Sequence, residues 1–325
     1  MKKALITGIS GQDGQHLAKL LISKGYQVIG LINGQGNSKH REISEKFQSV
    51  ELRNGDLADF SSLLTVLDET RPEEIYNLGA ISFVGLSFQQ PELTANITGL
   101  GPLRILEATR KLNLDTTRIY QASSSEMYGK VLETPQREST PFYPRSPYGV
   151  AKCFAHHICV NYRESYGMHV SCGILFNHEG PLRGYEFVTR KITSNVAKIK
   201  LGKIKSFSLG SLEPQRDWGY AGDYVEAMWL MLQQDKPGDY VIATGEKHSV
   251  REFVEAALLA ADLEADIDKY VTFDPSNLRP SEVDVLVGDA SKALKNLGWK
   301  PRTNFQELVR IMVENDIRIE SSNLN

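Results

Sequence analysis

The stretch from Ala4 to Gly14, ALITGISGQDG, decides the fold of this chain. Its apolar start, Ala4–Thr7, predicts a short buried strand, and the spacing of apolar residues in Gln15–Lys24 predicts an amphipathic helix. Glycines separate the two segments, and a glycine-rich turn lets a helix follow a parallel strand closely. The stretch therefore predicts the first strand–turn–helix unit of an α/β fold.

The same turn indicates a dinucleotide site. Gly8, Gly11 and Gly14 let the backbone approach a pyrophosphate, and the free N–H groups at the start of the following helix point at the phosphates. Gln12 and Asp13 belong to the same turn. The alternative is a plain tight turn, because glycine-rich turns also occur without a ligand.

The residues leave open which nucleotide the turn would hold. An acidic residue at the end of the second strand binds a ribose 2′-hydroxyl, and an arginine there binds a 2′-phosphate. The segment from Leu31 to Ser38 contains neither. Lys39 and Arg41, a little further on, are either phosphate ligands or part of a solvated loop.

Strand-like and helical patterns alternate through the first half of the chain and predict a doubly wound parallel Rossmann sheet, an α/β fold. Strands are predicted at Gln27–Ile32, Ser49–Arg53, Glu74–Leu78 and Arg118–Ala122, and helices at Ser61–Thr70 and Thr98–Leu112. Later helices are predicted at Val188–Leu201, Val250–Ala261 and Asn304–Glu314, while Asp223–Gln233 and Tyr240–Ala243 indicate a return to the sheet.

The breakdown of this regularity after about residue 172 predicts a smaller, interleaved C-terminal substrate domain. Residues 1–172 plus about 217–246 are assigned to a dinucleotide-binding Rossmann domain. Residues from about 173 to 216 plus 247–325 are assigned to the substrate-binding domain.

The composition is that of a globular protein without a nucleic-acid or membrane partner. The 325 residues are 41% apolar and carry a net charge of −3, which argues against both partners. No apolar run reaches the ~18 residues of a membrane span. Cys153, Cys159 and Cys172 lack metal-site spacing, so we expect no metal and small buried thiols in a reducing cytoplasm.

A phenol and an ammonium group are predicted to share one helix face. Tyr148 and Lys152 are four residues apart, which brings their side chains together on a helix. The ammonium is expected to favour the phenolate and lower the pKa of Tyr148, making it a base for a sugar hydroxyl. Lys152 can also bond a nicotinamide ribose. The alternative is an ordinary pair on a helix surface.

Ser124 and Glu126 come after the predicted strand Arg118–Ala122, at the edge where doubly wound sheets hold their sites. A serine hydroxyl there can bond the substrate oxygen that Tyr148 deprotonates. Removing a proton from the carbon beside a new ketone requires a base such as Glu126, whereas a plain dehydrogenase or 4-epimerase needs no carboxylate there. The alternative is a carboxylate that stabilises a helix N-terminus.

Taken together, the sequence resembles the GDP-mannose 4,6-dehydratases, a group of extended short-chain dehydrogenase/reductases, from Ala4 to about Met312. The resemblance is carried by GQDG, NLGA, QASSSEMYG, TPFYPRSPYGVAK, VNYRESYG, GILFNHEGPLRGYEFVTRKI, RDWGYAGDYVEAMWLMLQ and LRPSEVDVL. It implies bound NADP(H), a GDP-sugar substrate and a GDP-4-keto-6-deoxysugar product. It also implies a homodimer or homotetramer.

The resemblance further implies a role for individual residues. The catalytic residues would be Ser124, Glu126, Tyr148 and Lys152. The cofactor would contact Gly8, Gly11, Gln12, Asp13, Gly14, Asp56, Leu57, Leu78, Ala80, Tyr148, Lys152, His178 and Arg183. The substrate would contact Ser82, Ser124, Asn177, Lys191, Arg216 and Arg279.

Three departures from the family pattern stand out. Ser124 stands where the family usually has Thr, and Gly180 where it usually has Ser. Residues Gly34–Asn37 stand where the family has an Arg-Arg-Ser-Ser run that binds the 2′-phosphate and bridges subunits. Without that run, NAD is an alternative to NADP, and a dimer is an alternative to a tetramer.

The expected reaction is the conversion of GDP-mannose to GDP-4-keto-6-deoxymannose and water by internal hydride transfer from C4 to C6. A GDP-manno-heptose 4,6-dehydratase would share all these residues. A sugar-nucleotide epimerase or 4-reductase fits the Tyr148/Lys152 pair but leaves Glu126 unexplained. A cofactor-sensing or scaffold protein without catalysis is the remaining alternative. The helices Ser61–Thr70 and Thr98–Leu112 would either form a dimer face or pack on the sheet.

Overall fold

A computed structural model describes residues 1–34, 38–278, 280–283 and 285–322. The strands are β1 (Lys3–Thr7), β2 (Gln27–Ile32), β3 (Glu51–Asn54), β4 (Glu74–Asn77), β5 (Arg118–Ser124), β6 (Val170–Leu175), β7 (Asn177–Glu179), β8 (Phe207–Leu209), β9 (Gln215–Arg216), β10 (Trp218–Tyr220), β11 (Asp239–Ile242), β12 (His248–Ser249), β13 (Val271–Phe273) and β14 (Val285–Leu286).

The α-helices are α1 (Gln12–Ser23), α2 (Ser38–Lys46), α3 (Phe60–Thr70), α4 (Val84–Gln89), α5 (Pro91–Thr94), α6 (Leu100–Lys111), α7 (Pro147–Tyr166), α8 (Val188–Lys200), α9 (Ala221–Gln233), α10 (Val250–Ala260), α11 (Ile267–Tyr270), α12 (Ser291–Leu297) and α13 (Phe305–Ser322). A π-helical turn, Ala95–Gly99, precedes α6, and 3₁₀ turns cover Ser125–Met127 and Pro275–Asn277. None of the described helices is both long enough and apolar enough to span a membrane.

A seven-stranded parallel sheet lies at the centre, in the order β11-β6-β5-β4-β1-β2-β3. The strand order reverses between β1 and β4, and ligands of such sheets bind in the crevice at that point. Apolar residues of α1 and α9 are buried on one face of the sheet, and those of α3, α6 and α7 on the other. The predicted doubly wound parallel sheet is confirmed.

Most of the predicted elements are present, with shifted ends. The strand at Gln27–Ile32 has the predicted bounds, and the helix predicted at Ser61–Thr70 begins one residue earlier because Asp59 caps it. The first helix begins at Gln12 rather than Gln15, so it starts inside the glycine turn. The last helix does not end at Glu314 but continues to Ser322. Its final turns are mostly polar, so the spacing of apolar residues does not predict them.

A second core lies outside the sheet, between α8, α10 and α13. Its buried side chains include Ile192, Val196, Phe253, Leu308 and Met312. The chain enters this lobe after β6, returns to the sheet for α9 and β11, and then leaves again. The predicted boundary at residue 172 falls inside β6, and the division into two domains stays a prediction.

The apolar stripes of α3 and α6 pack inwards. Leu63 and Leu67 of α3 and Ile105 and Leu106 of α6 are all at most 2% exposed. These apolar stripes therefore pack on the sheet, which is one of the two alternatives that the sequence left open.

Candidate active site

The glycine turn between β1 and α1 lies at the reversal point of the sheet. Gly8 has a positive φ of 71°, and a Cβ atom there would lie 2.9 Å from the backbone nitrogen of Gly79, after β4. A Cβ atom at Gly14 would lie 2.4 Å from the carbonyl oxygen of Gly8. Any side chain at either position would break this packing, so both glycines are required to bring α1 against the turn. The resulting backbone cradle fits a pyrophosphate.

Ser124 and Glu126 lie at the carboxyl end of β5. The Ser124 hydroxyl accepts a hydrogen bond from the backbone N–H of Glu126 at 3.2 Å and caps the 3₁₀ turn Ser125–Met127. Glu126 in this turn lines the cleft. The side chain of Glu126 is nine-tenths buried. Glu126 and Tyr148 line the same cleft, and the Glu126 carboxylate contributes to the raised pKa of Tyr148.

Tyr148 and Lys152 lie in the first two turns of α7. Ser146 caps this helix by accepting the N–H of Gly149 at 3.0 Å, and Pro147 occupies its first position. A Cβ atom at Gly149 would lie 2.8 Å from the carbonyl oxygen of Glu126. The glycine beside Tyr148 therefore lets the start of α7 approach the turn that carries Glu126.

The prediction that Lys152 lowers the pKa of Tyr148 was wrong. Burial raises the pKa of Tyr148 to about 12, which outweighs a hydrogen bond with Ser124 that lowers it. Lys152 Nζ donates instead to the carbonyl oxygen of Ala122 at 2.6 Å, and burial lowers its pKa to about 8. Because burial dominates, Tyr148 needs additional positive charge in the cleft to act as a base.

His178 and Asp13 join β7 to the first turn of α1. His178 Nε2 lies 2.7 Å from Asp13 Oδ2, and its ring stacks on Tyr224 with 4.8 Å between ring centres. Gln12 also crosses to this strand, because its Nε2 donates to the carbonyl oxygen of His178 at 3.1 Å. The predicted cofactor residues of two distant motifs thus meet in one hydrogen-bonded group.

Arg183 belongs to the polar loop between β7 and α8. Its Nε lies 2.9 Å from Glu179 Oε2, and its guanidinium stacks over the ring of Phe187 at 3.5 Å. This loop is held from below by Arg190, which donates to the carbonyl oxygens of Pro181 and Arg183.

Arg190 is itself fixed by the last helix. It is 3% exposed and forms an ion pair with Asp316 of α13 at 2.7 Å. Thr193 donates to the same carboxylate at 2.6 Å. Buried charge pairs, as well as the cleft, therefore account for the polar residues between 173 and 191. The pair of Arg190 and Asp316 was not predicted, because the two residues are far apart in the sequence.

One cleft brings together most of the predicted residues. It is lined by Gly8, Gly11, Gln12, Asp13, Gly14, Leu78, Ala80, Ser82, Ser124, Glu126, Tyr148, Lys152, Asn177, His178 and Arg183. Asp56 and Leu57 are not among its lining residues: Asp56 accepts the N–H of Ala58, and Leu57 is buried beside Gly79. The roles of all these residues stay predictions.

A second cavity adjoins this cleft and shares Asn177, Arg183 and Phe187 with it. Lys191 and Arg216 line this cavity, where they contact Asn277 at 2.9 Å and Glu282 at 2.8 Å respectively. The predicted substrate residue Arg279 and residues 35–37 of the nucleotide-choosing segment lie outside the described residues. No role was predicted for Phe187 and Glu282, although both lie within sequence blocks that carry the family resemblance.

Three potential metal ligands, His156, Cys172 and Asp239, lie close together, and none of the three lines the cleft. Asp239 already binds Arg163 through two contacts of 2.9 Å, and His156 Nδ1 lies 2.9 Å from the hydroxyl of Ser123. The pKa of the Cys172 thiol is raised well above its ordinary value, chiefly by a hydrogen bond with Cys159 and by burial. These protein contacts account for the cluster, and we assign it no metal.

The Rossmann sheet and the grouping of Ser124, Glu126, Tyr148 and Lys152 define an extended short-chain dehydrogenase/reductase. A family model for GDP-mannose 4,6 dehydratase matches residues 5–312. The chain is 49% identical to the GDP-mannose 4,6 dehydratase of Homo sapiens over 99% of this chain and 93% of that protein. It is 47% identical to the enzyme of Vibrio cholerae, over 98% and 94%. The chain belongs to the GDP-mannose 4,6-dehydratase family.

Solved structures share the fold. The UDP-glucose 4-epimerase of Thermus thermophilus, in complex with NAD, superposes with a TM-score of 0.84 and 28% identity, covering 97% of this chain and 98% of that one. A dTDP-glucose 4,6-dehydratase from Bacillus anthracis superposes equally well, with a TM-score of 0.84, at 20% identity over all of both chains. The fold is therefore shared by epimerases and dehydratases, and only the site can separate them.

Proposed function

We propose that this protein is a nicotinamide-dependent lyase that converts GDP-mannose to GDP-4-keto-6-deoxymannose and water. The observation that carries the proposal is Glu126, a buried carboxylate in the same cleft as Tyr148 and Ser124. A 4-epimerase needs no base for the proton on C5, whereas a 4,6-dehydratase does. Family membership supports the same reaction, because the relatives are named for it.

The glycine turn fits a dinucleotide. Gly8 and Gly14 have no room for a Cβ atom, and Gly11 would meet only the carbonyl oxygen of Gly8 within 4 Å. A nicotinamide held by this turn would supply the hydride chemistry that moves a hydride from C4 of the sugar to C6. We propose NADP as this cofactor, with NAD as the alternative. Lys39 and Arg41, on α2, are cations that could bind the 2′-phosphate of NADP.

Proton transfers are assigned to two side chains. Tyr148, beside Ser124 in the cleft, takes the proton of the C4 hydroxyl in its phenolate form, and the positive charge of Lys152 stabilises that phenolate before the transfer. The resulting 4-ketone acidifies the proton on C5, which Glu126 takes. Glu126 then gives a proton to the C6 hydroxyl, which leaves as water, and Tyr148 or solvent returns a proton to C5. One carboxylate serves as base and then as acid because the two transfers occur in sequence.

The second cavity is proposed to hold the GDP group. Lys191 and the buried Arg216 supply positive charge to two phosphates, and Asn177, shared with the catalytic cleft, has a buried Oδ1 without a hydrogen-bond partner among the described residues. Arg279 is proposed as a further phosphate ligand from the resemblance alone. Ser82 is proposed to contact the sugar from the edge of the cleft.

The experiment that tests the proposal follows a deuterium label. GDP-mannose deuterated at C4 is incubated with the purified protein, and the product is analysed by mass spectrometry and NMR. The proposal predicts loss of one H₂O and transfer of the deuterium to C6. An unchanged mass with inversion at C4 would establish an epimerase and overturn the proposal. Incubation with no added nucleotide, then with NADP or NAD, identifies the cofactor that the protein retains or requires.

Glu126→Gln is the matching variant. It should lose the water elimination and the exchange of the C5 proton with D₂O, while it still binds GDP-mannose. Glu314→Gln removes an exposed carboxylate of α13 that lines neither cavity, and it should leave the rate unchanged. Normal dehydration by Glu126→Gln would overturn the assigned mechanism.

We further propose a homo-oligomer of at least two chains in the cytoplasm. Leu100 of α6 and Val150 and Phe154 of α7 are exposed apolar residues, at 38%, 57% and 43%, in two neighbouring long helices. Pairing of this face with a second copy would bury them. Sedimentation at several concentrations gives the mass, and a monomer throughout would refute this part of the proposal. The three cysteines are free, which suits a reducing compartment.

A further inference from the structure

Two side chains from the first turn of α1 reach the same residue across the cleft. Gln12 Nε2 donates to the carbonyl oxygen of His178 at 3.1 Å, and Asp13 Oδ2 lies 2.7 Å from His178 Nε2. His178 is in β7, which pairs with β10 and not with the central sheet. These contacts join the glycine turn to the segment that also carries Asn177. We call Asp13, Gln12 and His178 the cross-cleft joint.

The hydrogen-bond partners of His178 require a doubly protonated ring. Its Nδ1 lies 2.7 Å from the carbonyl oxygen of Phe176, which can only accept a hydrogen bond. Its Nε2 faces Asp13, and an ionised carboxylate also only accepts. Both ring nitrogens must therefore donate, and a neutral imidazole has only one N–H. His178 is an imidazolium whenever both contacts are formed.

The charges around His178 agree with this state. Burial alone would raise the pKa of Asp13, but the charge and hydrogen bond of His178, with the charge of Arg183 and the hydrogen bond of Gln12, together outweigh burial and lower it to about 2. Burial would lower the pKa of His178, but Asp13 and the Phe176 carbonyl raise it above the ordinary value of 6.5. The positive charge of Arg183 acts against this rise in the pKa of His178. Arg183 is itself paired with Glu179, whose carboxylate lies 2.9 Å from its Nε atom.

One more titratable group faces the joint from α1. The pKa of His16 is lowered by burial, so this ring is neutral near pH 7 and adds no competing charge. On the side of α9, the ring of Tyr224 stacks on His178, and burial raises the pKa of its hydroxyl well above the ordinary range. Asp13 is therefore the anionic partner in direct contact with His178 among the described residues.

The position of Asp13 would otherwise be unfavourable. A carboxylate in a turn that holds a pyrophosphate repels the ligand unless its charge is neutralised. His178 supplies that neutralisation, and in return Asp13 supplies the charge that keeps both ring nitrogens protonated.

We propose that Asp13 is a positioning residue that keeps His178 charged, so that the joint holds the glycine turn against β7 and retains the bound dinucleotide through turnover. The retention part rests on the proposed function, whereas the protonation part does not. The stabilisation is complete above the ordinary pKa of Asp13, 3.8, and below the ordinary pKa of His178, 6.5. It is lost as the pH falls towards 2 or rises through the raised pKa of His178.

The first test measures the protonation state of His178 by NMR titration of protein with labelled histidine, with His178→Gln used to assign the resonance. In the wild type, His178 should titrate above pH 6.5. In Asp13→Asn it should titrate below that value, because burial remains and the anion is gone. Asp68→Asn, which removes an exposed carboxylate of α3, should leave the titration unchanged. A wild-type His178 that titrates at or below 6.5 overturns the proposal, even if Asp13→Asn does not fold.

The second test measures how fast the holoenzyme loses its nucleotide after dilution. Asp13→Asn should release it on the order of tenfold faster or more, since a charge-assisted hydrogen bond is replaced by a weaker neutral one. Asp13→Glu keeps the anion and should restore part of the retention, and the KM for GDP-mannose should change little in either variant. Equal release by wild type and Asp13→Asn overturns the positioning role. Failure of dehydration in the wild type would instead refute the proposed function and leave the titration result standing.

Discussion

Replacement of Gly180 by serine tests whether a buried acceptor beside the cross-cleft joint lacks a partner. A Cβ atom at Gly180 would lie 3.6 Å from Gln12 Oε1 and 3.3 Å from a ring carbon of Tyr220. Gln12 Oε1 is buried and has no hydrogen-bond partner among the described residues. The amide orientation of Gln12 is well determined, because its Nε2 faces two acceptors, the carbonyl of His178 and the carboxylate of Asp13. A serine hydroxyl at position 180 would reach Oε1 and donate to it.

The expected gain follows from two terms. A hydrogen bond to a buried acceptor contributes ~1 kcal/mol to the free energy of unfolding. Loss of glycine freedom in the unfolded chain adds ~0.4–1 kcal/mol for either serine or alanine, less the cost of moving the Tyr220 ring by a few tenths of an ångström. The entropic and steric terms are shared by Gly180→Ala and Gly180→Ser. Their difference therefore isolates the hydrogen bond, and serine should exceed alanine by about 1 kcal/mol.

Urea unfolding of the wild type and both variants measures this difference, and thermal unfolding should place the serine variant about 2 °C above the alanine variant. The same pair is then compared in a Gln12→Leu background, where the acceptor is absent and the difference should disappear. Equal stability of the two variants would refute the reasoning. So would a difference of unchanged size in the Gln12→Leu background, because the hydroxyl would then have another partner.

Three further outcomes are expected. Lys152→Met should abolish activity yet stabilise the ligand-free protein at pH 7 by at most ~3 kcal/mol, because burial lowers the pKa of this lysine from 10.5 to about 8. The unfolded chain keeps the lysine proton up to the ordinary pKa, so the difference in free energy of unfolding between variant and wild type, measured in urea, should shrink as the pH rises from 8 to 10.5. Asp316→Ala should lower the free energy of unfolding by ~3 kcal/mol or more, since the buried charge of Arg190 loses its anionic partner. The double variant Arg190→Met with Asp316→Leu should recover most of the lost stability. A loss below ~1 kcal/mol in the single variant would contradict this account. Phe154→Glu should shift the protein towards monomer in sedimentation, whereas Phe273→Glu, which changes an exposed apolar residue outside α6 and α7, should not.

The sheet and the grouping of the proposed catalytic residues in one cleft could be predicted because their signals are local. The glycine turn, the strand at Gln27–Ile32 and the four-residue spacing of Tyr148 and Lys152 each depend on neighbouring residues, and the structure has each of them in place. The carboxyl ends of β1, β4 and β5 meet at one edge, so motifs that follow these strands were expected to meet as well.

What the sequence could not predict depends on distant contacts. Arg190 and Asp316 are far apart in the chain, and their ion pair follows only from the packing of α8 on α13. The pKa of Tyr148 was expected to fall because a lysine is nearby on the helix, but burial and the contact of Lys152 with Ala122 decide it instead. Pair spacing on a helix predicts proximity, whereas desolvation depends on everything packed around the pair.

The path of the chain between β6 and β11 has a consequence for how such enzymes diversify. These two strands are neighbours in the sheet, yet the chain between them crosses to the second core, forms α8, and returns through α9. Because the two strands are parallel, the excursion leaves at the carboxyl end of β6 and returns at the amino end of β11, and the ladder fixes the positions of both ends. Lengthening a loop between fixed ends adds little entropic cost. Loops of this excursion that follow α8 can therefore change in length while β7 and the glycine turn, joined through His178, keep their arrangement. The fold thus separates the part of the excursion that is free to vary in length from the part that is fixed to the nucleotide crevice.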